Sequence, residues 1–167
     1  MSAKIDRLAA VLEEELALTR RLLDLAKDAR AAAVSADPTL LAQIVSEQEE
    51  NAAKLEAIEV DRAAAAREVA AEAGMDVSGR IKLAAIVERL GGEPAARLRR
   101  LGGRLRAVAL DLREASTRTR EILEASLIHI DGFFNVLSRA QNGPGAYGAP
   151  RARRGSSSEA ALMDRKA

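Results

Sequence analysis

The chain has no cysteine and no tryptophan among its 167 residues, and only one tyrosine, one histidine, two phenylalanines and four prolines. Without cysteine there is no disulfide, no thiolate metal site and no cysteine nucleophile, which suits a reducing compartment. No apolar run approaches the roughly 18 residues that a membrane-spanning helix needs. The opening stretch MSAKIDRLAAVLEEELAL carries acids where a signal peptide would be apolar. A cytoplasmic protein without stable membrane insertion is therefore expected. β-branched residues are scattered and no run alternates with period two, so strands are not expected either.

What is present points to helices. Hydrophobic residues make up 48% and charged residues 31% of the chain, in a mix of Ala, Glu, Arg and Leu typical of long helices and coiled coils. A first helix is predicted from about Ala3 to Val34, with Glu15 and Thr19 interrupting its apolar stripe. Asp37 and Pro38 then form a helix start: a carboxylate to cap a free amide, and a ring where no amide is needed. In the second helix Leu41, Ile44, Gln48, Asn51, Leu55, Ile58, Arg62, Ala65 and Val69 keep a seven-residue repeat, and Gly74 is a natural end. A short helix capped by Ser78 is expected next, closed by Gly91 and Gly92. The last helix opens at Glu93-Pro94 and runs to about Ala140. Gly102 and Gly103 interrupt it early, where a bend or a close helix crossing is expected.

The expected fold is all-α: an elongated, coiled-coil-like antiparallel hairpin or bundle of three long helices plus one short one. Its helical domain spans 1–140 and a flexible basic tail spans 141–167. Residues 138–167 hold six bases and two acids, a balance of +4, against 20 bases and 23 acids, or −3, in the rest. A near-neutral body with a basic tail is not the profile of a nucleic-acid binder.

Catalytic patterns are missing. A di-metal bundle needs inward Glu residues and Glu-x-x-His pairs, but Glu124 and His129 stand five apart on different faces. The sequence implies no metal, cofactor or enzyme activity. His129 falls at a heptad position, so it reads as a buried or interface histidine. Gln48, Asn51 and Arg62 read as polar seam residues that fix helix register.

One segment stands out. SLIHIDGFFNVLSRAQNGPGAYG, 126–148, contains every His, Phe and Tyr of the chain. Beside the heptad stripe of the last helix, a second apolar stripe runs through Leu123, Leu127, Ile130, Phe134 and Leu137. With Ile122 and Phe133, it makes 122–137 apolar over more than half its circumference. A contiguous apolar face of this kind marks a partner site.

LLDLAKDARAAAVSADPTLLAQIVSEQEENAAKLEAIEVDR resembles the helical hairpin of FlgN-type flagellar export chaperones, with Leu55, Glu56, Glu59 and Arg62 as its closing motif. In the last helix, Ile122-Leu123, Ser126-Leu127, Ile130 and, further on, Tyr147-Gly148 resemble the same family, although Thr119 stands where an Asn is usual. The resemblance implies a cytoplasmic chaperone that binds the C-terminal helices of hook-associated proteins. It would keep them from assembling early and deliver them to the flagellar type III export gate. It also implies no cofactor, and a monomer or weak homodimer. Ile122, Leu123, Leu127, Ile130, Phe133, Phe134 and Leu137 would then face the client, and Tyr147 the export gate. The alternative is a structural coiled-coil protein that self-associates through the same stripe and has no client.

Overall fold

Helix α1, Ser2–Val34, and helix α2, Pro38–Glu72, are joined by three residues whose hydrogen bonds end one helix and begin the next. The Asp37 amide donates to the Ala32 carbonyl at 3.0 Å and the Ala36 amide to Ala33 at 3.3 Å, closing the last turn of α1. The Asp37 carboxylate then accepts from the Leu40 amide at 2.9 Å, with Pro38 opening α2. The end of α2 repeats the device: the Met75 amide donates to Ala70 at 2.9 Å around Gly74. Both turns need a left-handed residue. Gly74 supplies it at φ +69°, whereas Ala36 must adopt φ +53°, a conformation that costs a residue with a Cβ roughly 1 kcal/mol or more. Ala36→Gly is expected to raise stability by up to about 1 kcal/mol, read as a higher midpoint in a urea melt. A loss would mean that the looser unfolded chain outweighs the relief.

The computed structural model describes residues 1–141, with side chains through Ser138. Among these residues there are four helices and no strand: after α1 and α2 come α3, Leu83–Leu90, and α4, Gly92–Gln141. The all-α fold of three long helices and a short one is therefore borne out. The tail at 142–167, including Tyr147, lies outside the described residues. The chain divides at Leu127 into two units, Met1–Leu127 and Ile128–Ala167, and α4 contributes to both.

Ion pairs give the helix directions in the first unit. Arg7 meets Glu68 at 2.8 Å, Glu15 meets Arg62 at 3.0 Å and Arg21 meets Glu47 at 2.6 Å, so α1 and α2 are antiparallel. Arg97 meets Asp6 and Glu13, and the Thr119 hydroxyl donates to the Ala26 carbonyl at 3.2 Å, so α4 runs parallel to α1. The main core gathers Leu8, Leu12, Val69, Ile86 and Leu98, all nearly inaccessible, where α1, α2, α3 and the start of α4 meet. A smaller cluster of Leu25, Ala29, Ala32 and Ile44, with Leu41 against it, sits by the α1–α2 turn.

One sequence expectation changes, and another is met in one of its two forms. Ser78 does not cap α3: its amide and hydroxyl both donate to the Asp76 carboxylate, at 2.9 and 2.8 Å, and the helix begins only at Leu83. A local side-chain turn has outcompeted the first helical turn there. Gly102 and Gly103 do not break α4, which runs through both. The close crossing holds instead. A Cβ on Gly102 would lie 2.8 Å from Leu83 Cδ2, so the missing side chain is what lets α3 settle onto α4.

Candidate functional site

Among the described residues no group of three or more His, Asp or Glu side chains is placed to hold a metal. Of the polar residues of the helix seam, Glu15 and Arg62 pair across α1 and α2. Glu15 is buried and its Oε2 lies 3.0 Å from Arg62 Nε, but the angle is poor, and neither atom gains a hydrogen bond. Burial pushes the Glu15 carboxyl above its ordinary value, the Arg62 guanidinium pulls it down, and Glu59 adds to the rise. The Asn51 amide donates to the Glu47 carbonyl of its own helix at 2.7 Å. His129 is exposed, contrary to its heptad position: the heptad continues, but nothing covers it.

The apolar surfaces are more informative. In the first unit a groove of about 260 Å³ runs between the turn end of the hairpin and α4. Its walls are Ala26 and Ala29 of α1, Leu41 and Val45 of α2, and Leu123 and Leu127 of α4. The groove exists because α1 changes composition. Its Leu-rich stripe gives way to Ala26 and Ala29, which are too small to fill the space beside α4. Thr119 sets the spacing at the upper edge. Its buried hydroxyl donates to the Ala26 carbonyl across the helices, and lies 3.0 Å from the Ala115 carbonyl of its own turn.

In the second unit, α4 continues through 128–141 with its apolar side chains in solvent. Phe133 is 63% exposed, Phe134 61%, Val136 64% and Ile130 50%. The two rings meet edge to face with centroids 6.4 Å apart. Exposing two phenylalanines and their aliphatic neighbours forgoes roughly 1.5–3 kcal/mol of burial for each large side chain.

Of the residues singled out in the sequence, Ile122 and Leu123 are half-buried. Leu127, Ile130, Phe133, Phe134 and Leu137 are exposed. The first three positions belong to the first unit and the last four to the second. Sequence reasoning missed Ala26, Ala29, Leu41 and Val45 as the opposite wall. The signal available was the run of alanines late in α1, paired with Val45 one turn after Leu41.

The sequence model of one family, described as FlgN protein, matches residues 1–155 of the chain. No curated protein and no solved structure gives a significant match.

Proposed function

We propose, since this chain belongs to the FlgN family of flagellar export chaperones, that it holds the C-terminal helices of hook-associated proteins unassembled and hands them to the export gate. The exposed apolar side chains of α4 carry the reading: Leu127 in the first unit, and Ile130, Phe133, Phe134 and Leu137 in the second. A client that polymerises through amphipathic helices has an apolar stripe to hide until export. A helix with an unpartnered stripe of the same period can cover it. Leu123 and Leu127 also line the groove by the α1–α2 turn, whose small residues leave room for a client side chain. Ile122 stands at its half-buried margin.

The role requires no enzyme activity and no cofactor, since holding and releasing a helix makes and breaks no bond. The protein acts in the cytoplasm as a monomer or weak homodimer, and Tyr147 touches the export gate. Among the described residues no helix is long and apolar enough to cross a membrane.

Calorimetric titration of the full chain with a C-terminal helical fragment of a hook-associated protein tests the reading. Binding at one to one is expected, and Phe134→Ala or Leu127→Ala should each weaken it by more than about 1 kcal/mol if these side chains are anchors. Sedimentation should show any homodimer dissociating as fragment is added. A stable oligomer indifferent to the fragment would replace the chaperone with a self-associating coiled-coil protein.

A further inference from the structure

A second face of α4, in the first unit, takes no part in any of the above. On its inner side α4 packs through Leu98, Leu101, Leu105, Val108 and Leu112. On another face Arg99, Gly103, Arg106, Leu110 and Arg113 follow one another at intervals of four, three, four and three, the spacing of a coiled-coil seam. Leu110 is 58% exposed, and the three arginines are exposed as well. Other arginines of the same helix are paired: Arg97 with Asp6 and Glu13, Arg100 with Glu93. Among the described residues Arg99, Arg106 and Arg113 form no ion pair.

Arg99 and Arg106 flank an open cavity of about 450 Å³ between α3 and α4, with Leu83, Ala84 and Val87 on its α3 side and Gly102 and Gly103 on its α4 side. The two glycines are not equivalent. Gly102 is explained by Leu83, which occupies the place of its side chain. Nothing lies within 4 Å of where a Cβ on Gly103 would be. A glycine inside a helix is destabilising relative to alanine, and here no contact within the molecule accounts for it. What a bare backbone at the centre of a seam permits is the close approach of another helix.

We propose that this seam docks an acidic amphipathic helix of a partner protein. Its backbone crosses α4 at Gly103, and its apolar side chains reach Leu110 and the Leu83–Val87 wall. Its carboxylates pair with Arg99, Arg106 and Arg113. Charge complementarity names the occupant: three unpaired arginines around an apolar strip, with Glu88 the one acid lining the cavity. Arginine suits this task because its planar fork meets a carboxylate through two hydrogen bonds at once. The strip lacks the aromatic side chains on which nucleic-acid bases stack.

The probe is a synthetic 21-residue helical peptide with leucines at its seam positions and glutamates flanking them, titrated into the full chain. A twin with lysine at every glutamate and a short DNA duplex serve as controls. The acidic peptide should bind, more weakly as salt rises, and the lysine twin should not. Gly103→Gln should melt higher than the parent yet lose the peptide by roughly tenfold or more, as a blocked hot spot does. Arg99→Glu with Arg106→Glu should abolish binding while the circular dichroism spectrum is kept. Equal binding of both peptides, preference for the duplex, or unchanged binding by Gly103→Gln would each overturn the proposal. None of these results bears on the hook-associated fragment, whose titration uses other positions of α4.

Discussion

Leu98→Ala is expected to destabilise the protein by about 2–5 kcal/mol, while Phe134→Ala leaves its thermal melt nearly unchanged. Leu98 is 0% exposed and packed among α1, α2 and α3 residues of the main core, so truncation removes buried methyl groups and leaves a cavity. Phe134 is mostly in solvent, and its truncation uncovers little. On sequence spacing Leu105 and Leu112 would serve as the core comparison, since they share the heptad of Leu98. The structure leaves both half-buried, with Leu105 at the margin of the core, so their truncation should cost less than that of Leu98. Thermal melts of the four single variants followed by circular dichroism check this order. If Phe134→Ala melts as early as Leu98→Ala, the rings are core and the client surface lies elsewhere.

Arg62→Met should cost up to about 3 kcal/mol at neutral pH, the low end for breaking a buried ion pair because Arg62 keeps part of its solvent contact. The loss comes from Glu15, left as a buried carboxylate without its cation, with Glu59 still near it. The sign of the pH effect follows from the direction of the Glu15 shift. Its carboxyl is already held above the ordinary value by burial, and removing Arg62 raises it further. A group of this kind takes up a proton on folding. The stability it lends is complete below the ordinary carboxylate range and is lost as pH rises through that range to the raised folded value. The deficit of Arg62→Met should therefore shrink as pH falls into the carboxylate range.

Glu72 acts in the opposite sense. Lys4, with the N-terminal ammonium, holds its carboxyl below the ordinary value, so its contribution fades as pH falls. The informative quantity is thus the difference between variant and parent at each pH, from urea melts at about pH 7 and about pH 5. Glu15→Gln combined with Arg62→Met should recover most of the loss at neutral pH. A deficit that stays constant with pH would show that lost packing of the Arg62 side chain, not its charge, is what matters.

Local chemistry was legible in advance wherever a feature depended on neighbours in the chain. Asp37 and Pro38 start α2 because a capping carboxylate and a residue without an amide satisfy the first turn with no help from elsewhere. Gly74 and Gly91 end helices because their backbones enter a region closed to most side chains. The heptads of α2 and α4 set which faces turn inward, and the apolar excess at 122–137 announced that a face was left over. Competition between neighbours is harder to read: Ser78 could have capped a helix, but Asp76 took its hydrogen bonds first.

Depth of burial, and what stands opposite, came only from the packed chain. His129 shares a repeat with buried residues yet is exposed, because a heptad specifies a direction and not the presence of a neighbour. Glu15 and Arg62, 47 positions apart in sequence, meet because the α1–α2 turn sets the hairpin register. Leu123 and Leu127 acquire a groove only because the alanines of α1 and Val45 of α2 arrive beside them. Gly102 and Gly103 look alike in the chain. The side chain of Leu83, brought in by α3, fills the place beside the first and leaves the second open. A repeat along one helix carries information about that helix alone, and which side chains meet is decided by distances between elements that no local pattern encodes.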